Sequence, residues 1–102
     1  MLILHPNCEC CDKELPFDST EANICTYECT FCTDCVEEIL HNVCPNCGGG
    51  FVPRPIRPKT EHRPGVSIAH HPASTKRINT NYSREELSEF CNSIKGITPE
   101  NR

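Results

Sequence analysis

The residues of this sequence with the clearest chemical potential are its ten cysteines, about a tenth of the 102-residue chain. Eight of them form four pairs, each with two or three intervening residues, within a stretch of 40 residues. The pairs are Cys8 with Cys11, Cys25 with Cys29, Cys32 with Cys35, and Cys44 with Cys47. A tight turn of this length directs two sulfurs at one ion, and four thiolates complete the tetrahedral coordination of zinc. The spacing therefore predicts two Zn²⁺ ions, each held by four cysteines.

A disulfide framework is the alternative use of so many cysteines, and it requires an oxidising compartment. A secretory signal has a basic segment followed by roughly 7 to 15 apolar residues, whereas the apolar start of this chain is interrupted at His5 and Pro6. No stretch approaches the roughly 20 apolar residues that a membrane span requires. We therefore expect a cytoplasmic protein without a membrane anchor, in which reduced thiols bind zinc.

Two ways of combining the four pairs are compatible with the spacing. Sequential pairing would build two separate modules, whereas interleaved pairing joins the first pair with the third and the second pair with the fourth. Only two residues separate Cys29 from Cys32. This connection is too short to separate two sequential modules, so the interleaved form is favoured. It places one ion on Cys8, Cys11, Cys32 and Cys35, and the other on Cys25, Cys29, Cys44 and Cys47.

Charge is distributed unevenly along the chain. Residues 1–50 carry nine carboxylates and one lysine, a formal net charge of −8, whereas residues 51–102 carry nine basic and five acidic residues, a net charge of +4. An acidic surface repels phosphates, so nucleic acid is an unfavourable partner and a protein partner is expected. The basic residues of the second half are complementary to the acidic first half and can lie on it.

Composition divides the chain into three parts. Residues 1–52 hold nine of the ten cysteines and are predicted to form a metal-stabilised domain with a small hairpin and a short helix that begins after Cys35. Residues 53–82 are rich in proline and polar residues, which disfavour helix and sheet, and they are expected to form a flexible extended linker. Residues 83–96 are predicted to form an amphipathic helix, because Ser83 and Glu86 make a capping box and Gly96 ends the helix.

The order of the eight cysteines resembles a RING domain in which every ligand is cysteine. Phe31 before Cys32 resembles the aromatic residue of the RING pattern, and the segment from Cys44 to Cys47 resembles its final ligand pair. This resemblance implies a small, metal-stabilised, irregular α+β fold with two zinc sites in a RING-like or treble-clef cross-brace. In this chain an extended tail and a short C-terminal helix would follow it.

A second resemblance covers about half of the chain. The segment from Asn7 to Pro16, together with residues 29–32 and 44–49, is similar to a bacterial family of uncharacterised small proteins, the domain of unknown function 1272. This resemblance implies zinc binding in a bacterial cytoplasm. It supplies no established activity to transfer.

The expected function is therefore that of a zinc-stabilised, non-catalytic interaction module. Four thiolates on each ion leave no coordination position for water or substrate, so the metal would have a structural role. No catalytic residues are predicted, because the sequence contains no recognisable nucleophile with its base and no phosphate-binding loop.

Two alternatives stay open at the level of the sequence. The first is a RING-type ubiquitin-ligase domain that docks a conjugating enzyme. Two positions disagree with it: Cys10 replaces the usual aliphatic residue before the second ligand, and Gly48 replaces the basic residue that often follows the last ligand. The second is a thiol redox or zinc sensor, for which Cys10 and Cys91 are the candidates. Cys91 lies on the apolar face of the predicted helix, where a buried cysteine is usually an inert small hydrophobe.

Overall fold

A computed structural model describes all 102 residues of the chain. It contains strands β1 (Ala22–Ile24), β2 (Thr30–Cys32) and β3 (Val52–Pro53), helices α1 (Thr33–Glu38) and α2 (Arg84–Ile94), and a final 3₁₀ turn at Pro99–Asn101. The three strands form one antiparallel sheet in the order β2-β1-β3. The protein is thus a small α+β fold, as the sequence predicted.

The predicted hairpin is formed by β1 and β2, in which Ala22 lies opposite Cys32 and Ile24 lies opposite Thr30. The turn between them is closed by a hydrogen bond from the Cys25 amide to the Cys29 carbonyl, 3.2 Å long. Because a strand rises about 3.3 Å per residue, the hairpin holds Cys25 at its turn and Cys32 at its open end, about 10 Å apart along the strand direction. One short element therefore presents cysteines at two separate places.

Helix α1 follows β2 without a loop and begins earlier than the sequence indicated. Cys32 is still extended, with φ −77° and ψ 158°, so the chain turns into the helix at Thr33 and Cys35 lies inside the first turn. The helix ends at Glu38, with Ile39 as its C-cap, and His41 and Asn42 follow with left-handed φ angles of +49° and +60°. Two consecutive left-handed residues cannot continue a right-handed helix.

The core of the protein is small and unusually rich in sulfur. Of 102 residues 21 are buried, and six of the fourteen buried hydrophobic residues are cysteines. Phe31 is fully buried and packs edge-to-face on Phe51, with 5.3 Å between the ring centroids. Apolar burial by so few aliphatic and aromatic side chains is insufficient to stabilise a domain of this length. The cysteines are therefore the natural source of the missing stability.

Residues 53–82, which we call the connecting segment, lie on the head of the protein (residues 1–52). Arg54 is only 4% exposed and donates hydrogen bonds to the carbonyls of His5, Leu15 and Pro16. Further along, the Thr80 amide donates to the Glu9 carbonyl at 2.7 Å. The partners of Arg54 and Thr80 are carbonyl groups distant in sequence, which local composition does not reveal.

Helix α2 docks on the head through its apolar face. The capping box indicated by the sequence is formed, since the Ser83 hydroxyl accepts from the Glu86 amide and the Glu86 carboxylate accepts from the Ser83 amide. Leu87 and Cys91 are buried, and the Cys91 thiol donates to the Val43 carbonyl at 3.6 Å. Neither this helix nor α1 has the length and apolar character needed to cross a bilayer.

Candidate metal centres

The structure brings together the four sulfurs predicted for the first ion, and we call this group cluster one. It consists of Cys8, Cys11, Cys32 and Cys35, whose sulfurs all lie within 4.8 Å of one another. The Sγ atoms of Cys11 and Cys32 are 3.7 Å apart. Four sulfurs placed 2.3 Å from a tetrahedral zinc ion would be about 3.8 Å apart. Cluster one therefore has the dimensions of a four-thiolate metal site.

Two rigid pieces of backbone position cluster one. The turn that carries the first pair is closed by hydrogen bonds from the Cys8 amide to the Lys13 carbonyl and from the Asp12 amide to the Cys8 carbonyl, both 2.9 Å long. Asp12 has a left-handed φ of +66° in this turn, a conformation that aspartate tolerates better than most residues. The second pair lies where β2 passes into α1, so regular secondary structure fixes its two sulfurs.

Cluster two combines the turn of the hairpin with a loop that follows α1. It consists of Cys25, Cys44 and Cys47, whose sulfurs also lie within 4.8 Å of one another. The loop is closed by hydrogen bonds from the Cys44 amide to the Gly49 carbonyl at 2.8 Å and from the Gly48 amide to the Cys44 carbonyl at 2.7 Å. Gly48 has a φ of +80°, which a residue with a side chain would adopt only with strain.

Cys29 was predicted as the fourth ligand of this second ion, but its sulfur lies outside the 4.8 Å group. The residue is nevertheless adjacent, because its carbonyl accepts from the Cys25 amide and its thiol neighbours the Cys25 thiol and the Asn46 amide. It is half-buried, whereas Cys25 and Cys44 are buried. The structure thus pairs the cysteines in the interleaved manner, completely for the first set and with three of four residues for the second.

Backbone amides point at the sulfurs of both pairs in cluster two. The Tyr27 amide donates to the Cys25 sulfur at 3.3 Å, and the Gly49 amide donates to the Cys47 sulfur at 3.4 Å. In each case the donor lies two residues after the cysteine, as a tight turn around a metal requires. Such N–H···S contacts stabilise negative charge on sulfur, and therefore favour thiolates.

Burial opposes the thiolate form at three of the predicted ligands. It raises the pKa of the Cys35 and Cys44 thiols far above the ordinary value, and raises the pKa of Cys29 to about 11. At neutral pH these sulfurs keep their protons unless a cation replaces them, because an isolated thiolate is costly inside a protein. Metal binding at these clusters would therefore release protons.

A carboxylate that the sequence did not single out links the first turn of cluster one to strand β2 and to the loop of cluster two. Glu9, between the first pair of cluster one, is 6% exposed, and its Oε2 accepts from the Thr30 amide at 2.9 Å. Its Oε1 accepts from the Asn46 side chain, between Cys44 and Cys47, at 3.2 Å. Sequence reasoning counted Glu9 as one of nine carboxylates of an acidic surface, and no local signal distinguishes it from the others.

The two remaining cysteines lie outside both clusters. All ten cysteines are free of disulfide bonds. Cys91, a residue of α2, is completely buried, and burial raises the pKa of its thiol. Cys10 is partly buried against the core. Neither cluster includes a histidine.

The C-terminal residues contact the loop of cluster two. The Arg102 guanidinium donates to the Asn42 carbonyl at 2.8 Å and to the Gly48 carbonyl at 3.2 Å. Phe90 and Ile94 of α2 lie beside Gly48, where an added Cβ would be 3.6 Å from Ile94. The loop is therefore contacted on one side by residues that are about 50 positions later in the chain.

The fold and site define a class of small cysteine-rich α+β proteins with two clusters that could hold metal ions. Within that class, residues 1–57 match the family described as "Protein of unknown function (DUF1272)", and the chain belongs to this family. The resemblance noted from the cysteine-containing segments is thereby confirmed.

One relative extends the similarity beyond the family match. The chain is 54% identical over 78 residues to an uncharacterized protein of Rhizobium meliloti (strain 1021), covering 76% of this chain and 86% of that protein. Since 78 aligned residues exceed the 57 of the family match, the similarity continues into the connecting segment or beyond. No solved structure matches the chain significantly.

Proposed function

We propose that this protein is a zinc-stabilised, non-catalytic module that binds another protein, built as a RING-like or treble-clef cross-brace around two zinc ions. Cluster one holds the first ion with Cys8, Cys11, Cys32 and Cys35. Cluster two holds the second, and Cys29 completes it by turning its side chain toward Cys25. The observation that carries the proposal is the interleaved grouping of the cysteines.

Zinc is the metal that suits these donors best. Soft thiolate ligands select zinc, copper(I) or iron–sulfur clusters, whereas calcium and magnesium require oxygen ligands. The 3.7 Å between the Cys11 and Cys32 sulfurs agrees with the edge of a tetrahedral ZnS₄ group, which is about 3.8 Å. The small core supports a folding role for the metal, because structural zinc sites contribute about 10 kcal/mol or more near neutral pH.

Because zinc has a structural role in this proposal, the protein acts by binding and not by catalysis at the metal. A metal ion surrounded by four thiolates offers no open position to a substrate, so it supplies no Lewis-acid chemistry. What the fold then offers to other molecules is its surface. Residues 1–50 contribute to it five carboxylates that form no ion pair, namely Asp18, Glu28, Asp34, Glu37 and Glu38. An acidic surface on a rigid, metal-stabilised scaffold is suited to a protein partner rather than to nucleic acid.

The test is the metal content of the protein purified under reducing conditions. We expect elemental analysis and native mass spectrometry to give two zinc ions per chain. We also expect a chelator to remove both ions together with the native circular dichroism spectrum. One ion per chain would contradict the two-site proposal, and a folded protein without metal would contradict the structural role of zinc.

A second candidate function, a thiol or zinc sensor, is supported by the position of Cys29. The sulfur of Cys29 lies outside the group formed by Cys25, Cys44 and Cys47, so among the four proposed ligands it is the one that a competing ligand displaces most easily, after which the freed thiol can be oxidised. Under this reading, mild peroxide treatment releases one zinc ion while the other stays bound. Simultaneous loss of both ions, or no loss at all, would contradict it.

A further inference from the structure

Beside cluster two lies a surface cleft of about 430 Å³ between the metal-site loop and helix α2. Its floor is formed by Pro45, next to Cys44, and by Leu87, which is only 1% exposed. Tyr82 and Phe90 flank it and stay 48% and 39% exposed. The cleft therefore joins an apolar floor to two aromatic rings that are open to solvent.

The remaining lining residues are two glutamates and no basic residue. Glu86 and Glu89 lie three positions apart on α2, so they are neighbours on one face of the helix, with about 5–6 Å between their Cβ atoms. The four ion pairs of the chain all involve other carboxylates. The Glu86 carboxylate accepts the capping hydrogen bond through one oxygen, and neither glutamate forms an ion pair.

We propose that this cleft binds an arginine side chain on an extended segment of a partner protein. The inference rests on the proposed function, because it assigns the partner chemistry of the same interaction module. A guanidinium group stacks on aromatic rings and can contact two carboxylates through its planar fork, which a lysine ammonium does less well. An apolar residue next to the arginine would cover Leu87 and Pro45.

The charge of the surroundings favours this occupant over an anionic or a purely apolar one. The first turn of α2 carries Arg84 beside Glu85 and Glu86, and the last turn carries no basic residue, so with Glu89 the helix has a net charge of −2. The loop on the opposite side belongs to cluster two, whose thiolates add negative charge when an ion is bound. A cationic segment is therefore attracted to the cleft, and an acidic segment is repelled.

The test uses the full chain loaded with zinc and the peptide acetyl-Gly-Leu-Arg-Leu-Gly-amide. Carbon–proton NMR spectra report the Tyr82 and Phe90 rings and the Leu87 methyl groups. We expect saturable shifts of these signals with a dissociation constant of roughly 1 mM, the weak affinity appropriate to one side chain in a shallow cleft. The same peptide with citrulline in place of arginine keeps the shape without the charge, and we expect it to bind about fivefold more weakly.

Variants of the chain locate the binding site. Glu89→Gln and Phe90→Leu should each weaken arginine-peptide binding about threefold, since each removes one weak attraction at an exposed position. Glu37→Gln removes an exposed carboxylate from α1, outside the cleft, and should leave binding unchanged. Equal weakening by Glu37→Gln would overturn the assignment to the cleft, because only the overall charge would then matter.

Three other outcomes overturn the inference. Equal binding of the citrulline peptide would show that the cation is not recognised. Absence of any shift up to roughly 10 mM peptide, in a sample with two zinc ions and a folded spectrum, would overturn the cleft assignment while leaving the zinc module intact. Shifts of the same signals on raising protein concentration without peptide would identify the occupant as a second copy of the chain. A sample without zinc would instead count against the proposed function itself.

Discussion

The two cysteine clusters are built from different kinds of backbone. In cluster one, a hydrogen-bonded turn faces the junction of β2 and α1, and all four predicted sulfurs meet. In cluster two, the turn of a hairpin faces an irregular loop, and three of four meet. The comparison teaches that the junction of a strand and a helix fixes the two sulfurs it carries, whereas a cluster without such a junction needs further support. That support comes here from the C-terminal residues and α2.

The largest effect is expected from removing a ligand of cluster one. Cys32→Ser removes the sulfur of a residue that ends β2 and directly precedes α1. We expect loss of both zinc ions and of the folded state, because the contribution of a structural zinc site, about 10 kcal/mol, exceeds what the small core can replace. Native mass spectrometry and circular dichroism measure this directly.

Cys10→Ser is the matched control for that variant. Cys10 lies in the same sulfur-rich region but outside both clusters, so the variant should keep two zinc ions and its fold. If Cys10→Ser lost an ion, Cys10 would be a ligand and the composition of cluster one would have to be revised. A folded Cys32→Ser protein with two ions would contradict the role assigned to Cys32.

A pair of variants in cluster two tests whether its ligands are unequal. Cys25→Ser removes a buried sulfur from the group of three and should abolish binding of the second ion. Cys29→Ser leaves those three sulfurs in place, and water or the serine hydroxyl can take the fourth position, so we expect a smaller loss of zinc affinity, of roughly 10- to 100-fold. Chelator competition followed by native mass spectrometry separates the two cases. Equal losses would show that Cys29 is an ordinary fourth ligand.

The sequence was informative wherever a short local pattern carries the signal. Cysteine spacing predicted the members of cluster one, and the capping box of Ser83 and Glu86 predicted the start of α2. The Cys29 side chain was predicted less well, because spacing specifies that a turn exists but not the direction of each sulfur. The start of α1 was placed too late, because no residue pattern marks a strand that passes directly into a helix.

Contacts between distant residues were the other limit. Arg54 is buried against carbonyls 38 to 49 positions earlier in the chain, and Glu9 accepts a hydrogen bond from Asn46 across 37 positions. Composition identifies these segments only as charged or proline-rich. It does not show which arginine or glutamate is buried, because such burial depends on partners that only the folded chain supplies. The opposite charges of residues 1–50 and 51–102 were the available indication that the two parts of the chain contact each other.

A smaller effect is expected from the C-terminal support of cluster two. Arg102→Ala removes the hydrogen bonds to the Asn42 and Gly48 carbonyls, and we expect a loss of about 1 kcal/mol of stability, typical of partly exposed hydrogen bonds. Release of zinc to a chelator should become faster for one ion of the two. Arg63→Ala, which removes an exposed arginine from the connecting segment, is the control and should change neither quantity. Faster release of both ions would mean that the C-terminus supports the whole fold.

The smallest effect is expected beside cluster one, where Arg77 forms ion pairs with Asp12 and Glu14. These groups are exposed to solvent, so their attraction is weak and screened by salt. Arg77→Gln should lower the melting temperature slightly at low ionic strength, and the difference from the wild type should shrink at high ionic strength while both zinc ions stay bound. A salt-independent difference would indicate that Arg77 acts through packing. Loss of an ion would show that cluster one, like cluster two, depends on a contact from the second half of the chain.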